Sequence, residues 1–245
     1  MKLTYDDIFK YSDRLNPISS KTLFLAGKLA GLGPEKTLLD LGSGKGFPSL
    51  LWASSFGVRV EGFDLNREYV KYANSYAKLS NLEHLARYWC RDVRNLKLDD
   101  QCDVVASLGL GIAEVYGTAK TAMDNFRLML TTGGFLLLGE PVWLMTPVPK
   151  EVQKALGTSE ENLCAKVEME RLLKDHDFEV REAYVSTKED WEYYIRPVNV
   201  AMREIMKSQP ELLSECQDVT DSFQAEYRAA GKYWDMILWV AKFHE

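Results

Sequence analysis

Residues 37–52 read TLLDLGSGKGFPSLLW: an apolar run closed by an acid, then Gly42, Gly44 and Gly46 at alternate positions, then apolar residues again. A tight turn between two buried elements needs one glycine, sometimes two, because glycine enters the left-handed region without steric cost. A third implies that something outside the chain lies against the loop's bare backbone. The flanking sequence shows what framework presents that loop.

TLLDLGS reads as a buried strand, GFPSLLWASSFG (46–57) as a short helix with a glycine stop, and VRVEGFDL (58–65) as a second strand. Ahead of them, TLFLAGKLAGLG (22–33) has helical spacing. REYVKYANSYAKLSNL (67–82) has the periodicity of a surface helix, and LARYWCRDV (85–93) alternates as a third strand. CDVVASLGLG (102–111) and GGFLLLGEPVW (133–143) are two more apolar strands, separated by a helix around 118–130. Near-continuous apolar strands joined by helical crossovers predict an α/β, Rossmann-like, doubly wound and mostly parallel sheet, covered on both faces.

The end departs from that rhythm. FEVREAYVS (178–186) and YWDMILWVAKF (233–243) are separated by about 46 residues, too many for a hairpin, and the insert is helical. Trp191, Tyr194, Ile195, Val198, Met202 and Ile205 share one stripe, with Pro197 predicting a bend or break. Ser208-Gln-Pro-Glu211 reads as a capping box that opens a second helix, whose stripe (Leu212, Cys216, Val219, Phe223, Tyr227) runs to a stop at Gly231. The expected organisation is a single domain over 1–245, with an N-terminal lid at 1–20 and a helical cap insert at 187–232.

Composition excludes several classes. A formal charge of −6, from 30 basic and 36 acidic side chains, provides no basic face for a run of phosphates, so no nucleic-acid partner is expected. No stretch approaches the roughly 20 apolar residues of a membrane span, and the N-terminus has no signal-peptide core. A soluble cytoplasmic protein, monomer or homodimer, is expected. Cys90, Cys102, Cys164 and Cys216 are far apart with no CxxC pair, and three of them sit in apolar-periodic contexts that predict buried structural thiols. His84, His176 and His244 are equally scattered, so no metal is expected.

In open α/β sheets, ligands bind beyond the carboxyl ends of the strands where the strand order reverses, which is where the loop 42–46 lies. Its spacing is Asp40-x-Gly42-x-Gly44-x-Gly46; the G-x-G-x-x-G of nicotinamide and flavin binders would need glycine at 47, where Phe47 stands. Asp64 closes the second strand, where a carboxylate can accept both hydroxyls of a ribose. Asp92 and Val93 follow the third strand, suited to an adenine amino group and ring face, and Ser107, Leu108 and Gly109 end the fourth. Lys45, inside the loop, reads as a solvated side chain.

With those residues in place, segment 36–140 resembles a class I S-adenosylmethionine-dependent methyltransferase, whose first motif LLDLGSGKG closely matches. The resemblance implies a seven-stranded sheet with an antiparallel last strand, and S-adenosyl-L-methionine as cofactor with S-adenosyl-L-homocysteine as product. It further implies that Asp40, Gly42, Ser43, Gly44 and Gly46 hold the methionine part, Asp64 and Leu65 the ribose, Asp92 and Val93 the adenine, and Ser107, Leu108 and Gly109 the methionine amine. SDRLNPIS, GEPVW and DWEYYIRPVNVAMREIM are similar to segments of small bacterial methyltransferases known mainly as uncharacterised proteins.

Methyl transfer from a sulfonium needs alignment and a dry site more than covalent help, and a general base only if the acceptor must lose a proton. Glu140, in Gly139-Glu140-Pro141 at the end of the fifth strand, is the candidate catalytic residue; its structural alternative is a cap or loop hydrogen bond. Trp143, Trp191, Tyr193 and Tyr194 could line an acceptor pocket or pack the insert, and Tyr11, Asp13 and Arg14 could fold over the cofactor or begin a surface helix. The fourth strand ends in Ser-Leu-Gly-Leu-Gly, unlike the Asn/Asp-Pro-Pro-Tyr/Phe of base amine methylation, so a small-molecule acceptor is expected. The competing readings are a nicotinamide-dependent oxidoreductase and a non-catalytic cofactor-binding protein.

Overall fold

The computed structural model describes residues 2–96 and 100–244. In chain order the elements begin α1 (Tyr5–Ile8), α2 (Ser20–Leu29), β1 (Thr37–Leu41), α3 (Phe47–Phe56), β2 (Arg59–Asp64), α4 (Arg67–Leu79) and β3 (Ala86–Cys90). They continue with β4 (Cys102–Leu108), α5 (Ile112–Tyr116), α6 (Ala119–Met129), β5 (Leu130–Trp143), α7 (Lys150–Leu156) and α8 (Lys166–Asp175). The chain closes with β6 (Phe178–Val185), α9 (Lys188–Ser208), α10 (Leu213–Ala229) and β7 (Trp234–Phe243).

The seven strands form one sheet in the order β3-β2-β1-β4-β5-β7-β6. β1 runs parallel to β2 and β4, β2 to β3, and β4 to β5, while β7 is antiparallel, as the sequence predicts. Strand order therefore reverses between β1 and β4, and the loops that leave those strands face the crevice of that switch point. β1 and β4 earn their central place by composition: Leu38, Leu39, Leu41, Val104, Val105 and Ala106 are all buried. Each Leu and Val among them contributes about 1.5–3 kcal/mol on burial.

The chain divides into two compact units. One spans Ile18–Glu140, Val167–Tyr184 and the chain from Ile237; the other holds the N-terminal stretch to Pro17, Pro141–Lys166 and Val185–Met236. In the second unit, Phe9, Val198, Ala201, Met202, Ile205, Leu212 and Cys216 form a core. The predicted stripe of α9 supplies Val198, Met202 and Ile205.

In this unit one local expectation is overturned and two are narrowed. Pro197 does not break its helix; α9 runs uninterrupted from Lys188 to Ser208. The ring removes one amide donor, and the buried face of Trp191, Ile195, Val198, Ala201, Met202 and Ile205 holds the helix together across it. Ser208-Gln-Pro-Glu211 is not a capping box: Ser208 ends α9 with its hydroxyl donating back to the Glu204 carbonyl at 2.9 Å, and α10 starts at Leu213 without a side-chain cap. Capping boxes stand instead at Thr187 with Asp190, opening α9, and at Thr4 with Asp7, opening α1. The surface helix considered for Tyr11–Arg14 is absent too, since α1 ends at Ile8.

Three of the four thiols are expected to be buried, and two are, Cys102 and Cys216; Cys90 is exposed at the end of β3 and Cys164 half-buried. Among the described residues no helix is long and apolar enough to cross a membrane, and no group of three His, Cys, Asp or Glu side chains is placed to hold a metal ion.

Candidate functional site

Gly42, Gly44 and Gly46 all adopt positive φ, at 71°, 53° and 78°, so the loop after β1 is left-handed at every second residue. This conformation excludes side chains for two reasons at once. A Cβ on Gly42 would also stand 2.6 Å from Leu110 Cδ1, and one on Gly46 would stand 2.9 Å from Ala73 Cβ. The amides of Gly42 and Ser43 both donate to the Phe63 carbonyl, at 2.8 and 3.0 Å, which ties the loop to the end of β2.

Asp64, the last residue of β2, grips the loop directly. Its Oδ2 accepts from the Gly44 amide at 2.7 Å and its Oδ1 from the Asn66 amide at 2.8 Å. Each carboxylate oxygen keeps a second lone pair for a ligand. Leu65 beside it is exposed, whereas Val93 is buried after β3. Asp92 is held by Arg94, whose Nε donates to both carboxylate oxygens and whose Nη2 lies 2.5 Å from Oδ2. The Arg94 side-chain hydrogen bond keeps the Asp92 carboxyl at about 2, so it is an anion throughout the physiological range.

The end of β1 and the end of β4 leave polar atoms unspent. Asp40 Oδ2, Ser43 Oγ and Ser107 Oγ are buried without a hydrogen-bond partner. Native interiors rarely tolerate such orphans, and three at one switch point mark a place where a polar ligand completes the bonding. Burial pushes the Asp40 carboxyl up to about 7; a hydrogen bond from Ser49 opposes the rise and the charge of Asp64 adds to it. Leu108 is buried and Gly109, at φ 79°, donates to the Gly139 carbonyl at 2.7 Å.

Glu140, 6% exposed, receives the Gly111 amide at 3.2 Å and the Ile112 amide at 3.4 Å on Oε1. It thus fixes the loop between β4 and α5. Burial pushes its carboxyl up to about 8, against those two amides, with the charge of Glu114 adding to the rise.

Lys45 differs from its expected solvated state: it is 8% exposed, with Nζ 5.6 and 5.3 Å from the ring centres of Tyr69 and Tyr72 on α4. Two aromatic faces from the next helix cover the loop's cation. Sequence reasoning also missed Tyr88 and Ser49, which lie beneath the loop with their hydroxyls 2.9 Å apart. The available signal was Gly62, a glycine in the middle of a strand, which marks the close approach of something large.

The residues singled out for the acceptor lie in the other unit. Arg14 stacks its guanidinium 3.7 Å from the ring centre of Tyr193, and the Tyr11 hydroxyl donates to Glu204. Trp143 is buried with its indole N–H on the Glu160 carbonyl at 3.1 Å. Trp191 is buried with its N–H on Asp235 Oδ1 at 2.8 Å. Tyr194 packs among Phe9, Trp191 and Phe223, with ring centres 5.6–6.1 Å away.

Residues 38–134 match the protein family described as a methyltransferase domain. Over 215 residues the chain is 25% identical to the Escherichia coli K12 protein YjhP, covering 87% of this chain and 82% of that one. The solved structure of YjhP superposes with a TM-score of 0.87 over 98% of both chains at 20% identity. A methyltransferase of Geobacter sulfurreducens, solved with S-adenosylhomocysteine, gives 0.87 over 98% of both chains at 22% identity. A 55-residue stretch is 40% identical to geranyl diphosphate 2-C-methyltransferase of Saccharopolyspora erythraea, over 22% of this chain and 19% of that one.

Proposed function

We propose, for a chain whose residues 38–134 form a class I S-adenosylmethionine-dependent methyltransferase domain, that it methylates a small-molecule acceptor by in-line displacement. The observation behind the cofactor assignment is the orphaned set at the switch point, Asp40 Oδ2, Ser43 Oγ and Ser107 Oγ, beside a loop that has no side chain at three alternate positions. These groups fit a zwitterionic amino-acid tail: carboxylate and hydroxyl acceptors for its ammonium, and hydroxyl donors for its carboxylate. Asp64 is the acceptor for the ribose hydroxyls, and Asp92 with Val93 takes the adenine. When bound, the cofactor supplies an electrophilic methyl group on a sulfonium.

The chain's own part is to bind, orient and exclude water, which is where most of the acceleration of such a displacement originates. Glu140 is the candidate base for an acceptor that must lose a proton, because a carboxyl near 8 exchanges a proton close to neutral pH. A small-molecule acceptor is supported by the acidic charge of −6 and by the Ser-Leu-Gly-Leu-Gly ending of β4. The Saccharopolyspora relative is named for an acceptor of the same size class. The decisive experiment incubates the protein with methyl-labelled S-adenosylmethionine and a metabolite library. Label transferred to a low-molecular-weight product is the expected result; label found only in nucleic acid or protein would overturn it.

A further inference from the structure

Within the second compact unit, α9 and α10 flank a groove of about 330 Å³, at the lower end of the range for small-ligand sites. Arg196, Asn199 and Arg203 line it from α9, and Gln224 and Tyr227 from α10. Residues three and four apart on a helix share a face, so Asn199 stands between the two arginines. At 1.5 Å of rise per residue, Arg196 and Arg203 are about 10 Å apart along the helix axis. Both are exposed, and Asn199 is half-buried.

The neighbouring acids are committed elsewhere. Glu192 also lines the groove and stands four residues before Arg196, a spacing at which opposite charges pair on a helix, yet it takes the Tyr227 hydroxyl at 2.8 Å. Glu204, beside Arg203, accepts from the Tyr11 hydroxyl and lies 3.8 Å from Lys10. On α10, Asp221 holds Gln217 Nε2 at 3.1 Å. Among the described residues, the side chains of Arg196, Arg203 and Gln224 therefore make neither an ion pair nor a hydrogen bond. Asn199 Oδ1 is buried with no hydrogen-bond partner, which leaves the amide nitrogen as the polar end that reaches the groove. An orphaned buried amide is rare in native interiors and marks a side chain placed for something other than packing. From α9 the groove thus meets two guanidiniums with an amide N–H₂ between them, and Gln224 adds a second amide across from it. In a chain of net charge −6, this is a local excess of positive charge, two cations against one acid.

We propose that the groove between α9 and α10 binds a small dianion, a phosphate monoester or a dicarboxylate, with Arg196 and Arg203 each presenting a planar fork to its oxygens and Asn199 and Gln224 donating between them. The guanidinium fork matches both oxyanions bidentately, and such charge-assisted bonds are about twice as strong as neutral ones. Two forks set apart along one helix face favour a ligand with two negative charges over one with a single charge. The site does not depend on the methyl-donor reading, since none of its residues belongs to the loop after β1 or to the ends of β2, β3 and β4.

The test follows the arginine Nε–Hε signals by nitrogen-15 NMR while the full chain, without cofactor, is titrated with inorganic phosphate, succinate and acetate at about pH 7.5, where phosphate is mostly a dianion. The signals of Arg196 and Arg203 are assigned by their loss in Arg196→Gln and Arg203→Gln. Phosphate or succinate moves both signals along one saturable curve, and acetate binds at least about tenfold more weakly. Each Gln variant weakens the better dianion by about ten- to a hundredfold, the scale of hydrogen bonds to charged groups. Arg87→Gln, on β3 in the other unit, leaves that affinity unchanged. Tighter phosphate than succinate assigns a phosphate ester, and the reverse a dicarboxylate. Signals that move without saturating, acetate bound as tightly as the dianions, or an affinity that Arg87→Gln lowers as much as Arg203→Gln would overturn the site and leave two solvated arginines.

Discussion

The amide of Gly44 donates to Asp64 Oδ2 at 2.7 Å, so the carboxylate that closes β2 also fixes the middle glycine of the loop after β1. The other oxygen holds the Asn66 amide at 2.8 Å, at the start of α4. One side chain thus sets the spacing of two strand ends and the entry to a helix before any ligand arrives.

Replacing Asp64 with Ala removes both the ribose acceptor and the anchor of Gly44. Hydrogen bonds to a charged group contribute about 1.5–3 kcal/mol, so affinity for S-adenosylhomocysteine falls by one to two orders of magnitude. Calorimetry on the purified variant measures it. An unchanged dissociation constant would mean that the nucleoside lies elsewhere.

Glu140 and Asp40 make the protein less stable as pH rises. Burial lifts Glu140 from 4.5 to about 8 and Asp40 from 3.8 to about 7, so over this range the native state keeps protons that the unfolded chain releases. Their contribution is fully present below about pH 4 and is lost as pH climbs through 7 and 8. Glu140→Gln removes the larger share while its carbonyl oxygen still accepts from Gly111 and Ile112. Between pH 5 and 8 the variant gains on the wild type by something on the order of 2–4 kcal/mol in urea unfolding. Parallel curves for the two proteins would show Glu140 ionised in the native state. The same variant tests the chemistry: turnover lost with cofactor affinity retained fits a base, whereas full turnover confines Glu140 to holding the β4–α5 loop.

Gly62→Ala fills the slot that Tyr88 occupies. The new Cβ would overlap a ring that is 3% exposed and fixed by two neighbours, and overpacking of this kind costs about 1–3 kcal/mol or more. Denaturant melts should show the loss, and pairing the substitution with Tyr88→Val, which shortens the intruding side chain, should recover part of it. Full stability of Gly62→Ala alone would mean that the ring has room to move aside.

The parts of this fold written locally were legible. Gly42, Gly44 and Gly46 announce a bare loop because their backbone angles are closed to other residues, and apolar runs announce β1 and β4 because nothing else survives in the middle of a sheet. What was misread depends on partners distant in sequence. Lys45 looks solvated until Tyr69 and Tyr72 of α4 are placed over it. Ser208 and Glu211 match a capping pattern by spacing, yet Ser208 still belongs to α9, and the short 3-10 turn over Pro210–Leu212 starts from Gln209, which has no side-chain cap bond. Tyr88 and Ser49 are marked only indirectly, by the mid-strand Gly62; which residue fills that space follows only from the register that sets Gly62 beside Tyr88.

Trp191 was singled out as a possible acceptor-pocket residue, and its geometry makes the structural role testable. Its indole N–H serves Asp235, an acid 1% exposed whose pKa burial raises, while the Trp191 hydrogen bond, the Met236 and Gly231 amides and the charge of Lys188 pull it down. Trp191→Phe keeps an aromatic ring beside Trp234 and Tyr194 but strips Asp235 of its side-chain donor. Asp235 Oδ1 keeps the Met236 amide at 2.8 Å, but losing one hydrogen bond to a buried acid costs about 1–3 kcal/mol, so the variant unfolds at correspondingly lower denaturant. Trp191→Phe combined with Asp235→Asn, which leaves no charge to satisfy, recovers part of that loss. If Trp191→Phe instead keeps its stability and loses turnover alone, the indole belongs to the acceptor rather than to the packing of α9.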